Sequence, residues 1–248
     1  IPTIIMVLKQ HRENTDVLII DASKGFVKEG KNNKLRASDI KRISDTVIRR
    51  KSVEKYAKVV DREEIRANEY NLNIPRYVDS SESAESWDVY ASMFGGIPAS
   101  EIETLQEYWD AFPDLKNELF QNSESPYLEL KKDDIKEAIK NQHDVAAFNN
   151  KFTDAFSSFN DYLKHELIDT LAVTKEENII SEDIFRRLED IPLIDKYEAY
   201  QLLDNEWDKI SIDLEIIQTE GFEALRKVDP NMVLKKKDGK DQEIQEGW

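Results

Sequence analysis

The sequence predicts a mainly α protein, in which a bundle-like C-terminal helical domain is preceded by two β-strands. Three observations lead there. Gly and Pro number 7 each among 248 residues, about half the usual share of these breakers. Apolar residues recur at helical spacing through the second half, whereas continuous apolar runs occur only near the start. Cysteine is absent, so no disulfide or thiolate-bound metal staples the chain, and its length allows a core without one.

Ile4 to Leu8 and Val17 to Ile20 are the two apolar runs, separated by QHRENTD, and they read as buried strands. A run that is apolar on both faces belongs inside a sheet covered on both sides, yet no partner strand is evident after them. The chain opens in mid-strand at Ile1 rather than Met, which reads as a truncated or processed chain. Ser38 is placed to cap a helix from Asp39 to about Arg50. Residues 61–79, DREEIRANEYNLNIPRYVD, pass from a short acidic-start helix into an extended segment fixed by Pro75, with SSESAES as a linker. This divides the chain into 1–79 and 80–248.

Beyond the linker, Pro98 marks a first helical turn, and Ser100 with Glu103 has capping-box spacing. A helix to about Phe112 would turn Ile102, Leu105, Trp109 and Phe112 inward. Val145, Phe148, Phe152, Phe156, Phe159, Leu163 and Leu167 fall on one helical face, the pattern of a packed core rather than a cofactor pocket. A further helix is expected from Ser181 to Glu189. The last should run from near Leu193 to about Gln218, with Leu203, Trp207, Ile210, Leu214 and Ile217 forming a coiled-coil-like seam. Gly221 is a candidate C-terminal cap, and Asp238–Gly239 reads as a hairpin turn.

Lys and Arg number 35 against 51 Asp and Glu, a net charge of −16. From Lys24 to Lys58 the balance reverses: 12 basic and 4 acidic residues give +8, leaving −24 elsewhere. Such asymmetry points to a polyanion at the basic segment; a solvated loop is the other reading. The candidates for DNA contact are Lys24, Lys28, Lys31, Lys34, Arg36, Arg49, Arg50 and Lys51, with Arg76 in the later motif. No metal site is assigned. His165-Glu166 lacks the second histidine of the helical zinc spacing because position 169 is Asp169, and Asp133–Asp134 and Glu176–Glu177 suit helix starts. No G-x-G, Walker or nucleophile-elbow pattern is present, and no apolar run approaches the roughly 20 residues of a membrane span. A cytoplasmic location is the default.

The segments IPTIIMVLK, DVLIIDASKGF with the Lys/Asn-rich loop after it, EYNLNIPRYVD, and GGIPASEIETLQEYWDAFPDLKNELF together resemble the modification (M) subunit of type I restriction-modification systems. The resemblance continues in DLEIIQTEGFEAL and ends within EIQEGW, while residues 122–200 follow it by pattern more than by motif. It implies that the parent is an S-adenosylmethionine-dependent DNA adenine methyltransferase acting on the N6 amino group. Its implied partners are a specificity subunit, a restriction subunit for cleavage, and DNA through the complex, with no membrane. Only the C-terminal portion of that subunit is resembled. The family's F-x-G-x-G donor turn and (Asn/Asp)-Pro-Pro-(Phe/Tyr) loop do not occur between Ile1 and Trp248, so no catalytic or cofactor-binding residue is assigned. The chain alone is expected to be inactive and to serve subunit docking and DNA clamping.

On this resemblance the two strands are the last two of an α/β methyltransferase sheet. Asn71, Asn73, Arg76 and Tyr77 either lock the end of the catalytic domain or face DNA. The seam from Leu203 to Ile217 either docks the specificity subunit or packs within its own domain. The alternative function class is a non-enzymatic helical protein–protein interaction module, which leaves the strands and the basic segment unexplained.

Overall fold

The computed structural model describes residues 3–81, 87–121, 125–169, 173–226, 231–237 and 240–247. The chain forms two compact units, Ile1–Trp87 and Asp88–Trp248. The mainly α expectation is borne out, with small sheets of two or three strands.

In the first unit, strand β1 (Val17–Ile20) forms as expected, but its neighbour does not. Residues 4–8 make no strand and are widely exposed, Ile5 at 87% and Leu8 at 86%. An apolar run becomes a strand only when a ladder satisfies its backbone, and none lies beside this one among the described residues. The β2 (Val27–Glu29) and β3 (Asn32–Lys34) strands form a small exposed hairpin, with Gly30 in the left-handed region at φ +61°. Helix α1 (Ala37–Arg49) follows, and then β4 (Ala57–Val60), which the sequence does not signal. It is antiparallel to β1, with Ile19 opposite Lys58.

Helix α1 starts ahead of the expected cap. The Arg36 N–H donates to Asp39 Oδ2 at 2.9 Å, which closes the first turn, and Ser38 is buried inside the helix. Its buried positions are polar (Ser38, Asp39, Thr46), while Ile40, Val47 and Ile48 face solvent at 55%, 54% and 77% exposure. Helix α2 (Arg62–Ala67) begins where Asp61 accepts the Glu64 N–H at 2.7 Å. The segment at Pro75 is a 3-10 turn, Ile74–Arg76, rather than extended chain, because a first helical turn does not use the proline nitrogen. It delivers Tyr77 and Val78 to a core of Ile19, Val60 and Ile65.

In the second unit, α3 (Val89–Phe94) leads through Gly95 and Gly96 into β5 (Ile97–Pro98). The expected helix to Phe112 is two, α4 (Ala99–Glu103) and α5 (Gln106–Ala111). The indole of Trp109 donates to the Ile102 carbonyl at 2.7 Å across the break. Ile102, Trp109 and Phe112 are buried as expected, but the break turns Leu105 outward at 41%. Then come α6 (Leu115–Leu119), β6 (Phe120–Gln121) and β7 (Tyr127–Leu130), which lies between β5 and β6.

After α7 (Ile135–Asn141), the aromatic stripe is carried by α8 (His143–Phe156), α9 (Phe159–Lys164) and a π turn, His165–Asp169. Five of its seven residues pack on the main core, and Phe152 is 39% exposed. That core centres on Ile180, Ile184, Phe185, Leu188 and Ile191 of α10 (Val173–Arg187) and the loop after it. Helix α10 begins well before Ser181, which is fully buried with its hydroxyl donating to the Asn178 carbonyl. Helix α11 (Lys196–Glu220) is capped by Asp195 and ended by Gly221 at φ +86°. The strands β8 (Asn231–Lys237) and β9 (Lys240–Gly247) pair as the expected hairpin; its turn, Asp238–Gly239, and the linker residues 82–86 lie outside the described residues. Among the described residues no helix is long and apolar enough to cross a membrane.

Trp207 and Leu214 of the seam are buried, Leu203 and Ile217 pack against the same core, and Ile210 is 36% exposed. Trp207→Ala should therefore cost about 3–5 kcal/mol of stability, against roughly 1 kcal/mol or less for Ile210→Ala, in urea denaturation followed by circular dichroism. Equal small losses would mean that the seam is not part of this core.

Candidate nucleic-acid interface

The basic segment folds as the β2–β3 hairpin, α1 and the turn into β4. Lys28, Lys31 and Lys34 share the hairpin and are all exposed. Lys34 Nζ lies 3.5 Å from Glu29 in a solvated pair, and Lys28 Nζ stands 5.8 Å from the Phe26 ring centroid. Lys31 sits beside Gly30 at the turn, without an ion-pair partner among the described residues. Lys24 is exposed in the preceding turn.

The arginines behave differently. Arg36 is engaged by the Asp39 carboxylate at 3.1 Å, and Arg49 approaches Asp45 at 3.9 Å. Arg50, held left-handed at φ +49° at the end of α1, donates to the Asp16 carboxylate at 3.1 Å and to its main-chain carbonyl at 3.0 Å. Arg12 bonds to the same residue at 3.2 Å. The Arg50 hydrogen bond is the main reason the Asp16 carboxyl lies below its ordinary value. This bridge spans 34 positions, so nothing local in the sequence signals it. Arg42 is also engaged, its guanidinium 4.2 Å from the Tyr56 ring centroid. Lys51 is exposed, without an ion pair among the described residues, and Arg76 is exposed at the end of the 3-10 turn.

In NLNIPRYVD, the Tyr77 hydroxyl donates to the Asn71 carbonyl at 2.6 Å, and the Asn71 side chain accepts the Asn73 N–H at 3.0 Å. These bonds close the loop on itself, while Asn73 and Arg76 are exposed. At large scale the charges separate with the units. The first carries 17 Lys/Arg against 14 Asp/Glu, a net +3; the second carries 18 against 37, a net −19.

Metal and methyl-donor sites call for different geometry. Asp114, His143 and Asp144 place three ligand atoms within 4.8 Å of one another, a grouping that their separation in the sequence hides. Asp144 accepts the Asp114 N–H at 2.9 Å and the Gln142 amide at 3.0 Å, bonds that seat the start of α8. The Asp114 N–H is the first cause holding the Asp144 carboxyl below its ordinary value. A methyl-donor site needs glycines that open backbone to a ligand. Gly25 does not: a Cβ there would meet Asp39 Oδ1 at 2.9 Å, so its space is taken by a side chain of the same unit, and Gly30 faces open space.

Residues 1–86 match the model of the N-6 DNA Methylase family. Over 90 residues the chain is 39% identical to the type I restriction enzyme MpnII methylase subunit of Mycoplasma pneumoniae, covering 36% of this chain and 17% of that protein. Over 125 residues it is 34% identical to the type I restriction enzyme MjaVIII methylase subunit of Methanocaldococcus jannaschii, covering 48% and 21%. The solved methyltransferase subunit of a type I restriction-modification system from Streptococcus thermophilus is 44% identical over 30% of this chain and 16% of its own, with a TM-score of 0.29. The matched stretch spans about a fifth of the length of the curated relatives. The family match and the curated relatives bear out the resemblance to type I modification subunits.

Burial acts to raise the Asp39 carboxyl, but hydrogen bonds from the Arg36 side chain and backbone, and the Arg36 and Arg42 charges, outweigh it and leave it below its ordinary value. Its stabilising effect is therefore present above the unfolded value of about 3.9 and is lost as pH falls through the folded value. Asp39→Asn should lower stability by about 1 kcal/mol at neutral pH, and thermal melts of the two proteins should converge below about pH 4. A gap independent of pH would show that the charge does not hold this turn.

Proposed function

We propose that this chain is the C-terminal portion of the DNA adenine methyltransferase subunit of a type I restriction-modification system. It would work with a specificity subunit and, for cleavage, a restriction subunit, in a cytoplasmic complex. In this reading residues 1–79 close the methyltransferase domain and offer the basic segment to DNA, while residues 80–248 form the C-terminal helical domain that serves subunit docking. The observation that carries it is a methylase-family segment with uncovered apolar surface: Ile4–Leu8 without a strand partner among the described residues and the outward Ile40, Val47 and Ile48 of α1. Such surfaces fit elements at the edge of a larger sheet.

S-adenosylmethionine would supply the methyl group in the parent enzyme, and no step through it is assigned to these residues. What the chain itself can do is electrostatic. Exposed lysines on the hairpin and after α1 neutralise phosphates and release counterions, which positions a duplex without reading its sequence. Arg36, Arg49 and Arg50 contribute by holding α1 through Asp39, Asp45 and Asp16, so that Lys51 is presented from a fixed helix end. The −19 of the second unit opposes DNA, which favours protein partners there.

Lys31→Glu with Lys51→Glu should weaken DNA binding by the assembled methyltransferase and reduce its salt slope by about 0.9 for each phosphate that is no longer neutralised. Since both side chains are exposed, the melting temperature should not change. An unaltered slope would remove the DNA role. Incubated with tritiated S-adenosylmethionine and DNA, the 248-residue chain alone should transfer no methyl group; label in DNA would overturn this division of labour.

A further inference from the structure

Helix α3 presents its apolar side to solvent: Val89, Tyr90, Met93 and Phe94 are 68%, 54%, 70% and 70% exposed, at the i, i+3 and i+4 spacings that share one helical face. The face is rigidly built. The Tyr90 ring lies 4.8 Å from both Phe94 and Tyr127, stacked on the latter at 25°. Tyr127 donates its hydroxyl to Asp88 at 3.1 Å, and the same carboxylate caps α3 by accepting the Ala91 N–H at 2.9 Å. Gly95 and Gly96, at φ +83° and +87°, turn the chain back onto β7, where a Cβ on Gly96 would meet Tyr127 Cβ at 2.9 Å. An exposed aromatic and methionine face fixed in this way has the composition and the preorganisation of a protein-binding surface.

The sequence that follows α3 is one-sided in charge as far as Leu115. From Asp88 to Leu115 there are six Asp/Glu and no Lys or Arg, with Glu101 and Glu103 exposed on α4. We propose that the α3 face docks a basic amphipathic segment of a partner polypeptide, whose apolar residues cover Tyr90, Met93 and Phe94 and whose arginines meet the acids and the aromatic rings. A nucleic acid fits poorly on a unit of net charge −19, and a second copy would bring the same acidic face. The inference stands on this unit alone and does not depend on the methyltransferase reading.

The test uses the full chain and a synthetic helical peptide of about four turns with leucine on one side and arginine on the other, alongside a twin carrying glutamate for arginine. Calorimetry should show the arginine peptide binding at least tenfold more weakly to Tyr90→Ser with Phe94→Ser, and several-fold more weakly to Glu101→Lys with Glu103→Lys, which leaves the rings intact and guards against misfolding. The glutamate twin should not bind. Equal affinity for all variants, or binding of the twin, overturns the proposal. So would loss of self-association in the Ser variant by sedimentation, which would name a second copy as occupant, or loss of oligodeoxythymidine binding, which would name single-stranded DNA.

Discussion

The Arg187 guanidinium lies over the rings of Phe156, Phe159 and Tyr162, 5.3–6.0 Å from their centroids, and ties α10 to the step between α8 and α9. It also bonds the buried Asp183 carboxylate and donates to the Ala155 carbonyl at 2.6 Å and the Ser158 hydroxyl at 3.2 Å. Thus one side chain of α10 satisfies the last turn of α8, fixes the step to α9 and neutralises a charge that burial would otherwise make costly. The stripe from Phe148 to Leu167 keeps one face toward Trp207 and Leu214 across two helices and a π turn because this break is held in place.

Charge has a similar structural task in the first unit. Arg12, Arg36, Arg49 and Arg50 are engaged by Asp16, Asp39 and Asp45, whereas Lys31 and Lys51 project into solvent. Guanidinium groups suit forked bonds to carboxylates, and ammonium groups are strongly hydrated point charges. A count of basic residues therefore overstates the charge on offer to an outside partner, and the identity of each residue corrects it.

What could be read from the sequence was what depends on local periodicity. The core positions Ile102, Trp109, Phe112, Trp207 and Leu214 follow from spacing alone, as does the Gly221 stop. Breaks inside the helices are illegible in the sequence because side chains beyond a single turn brace them, Arg187 on Ser158 and Trp109 on the Ile102 carbonyl. Strand β4 gives no local signal because AKVV is short and sits among charges, and Ile4–Leu8 forms no strand because an apolar run does not carry its own ladder. At the candidate interface Lys28, Lys31, Lys34 and Lys51 are exposed, as a run of hydrated charges in the sequence suggests. The pairing of Arg50 with Asp16 needed the third dimension, since α1 and the start of β1 meet only on folding.

The β2–β3 hairpin has three paired positions on each strand, and none of its six residues is buried. Nothing anchors it in a core, so its free energy of opening lies at the low end of what a folded chain displays. Lys28, Lys31 and Lys34 thus ride on a hairpin whose opening exposes no core. Cations carried this way sweep a larger capture radius than cations on a rigid wall. In the proposed function, this hairpin adds to the rate of arrival on DNA more than to residence time.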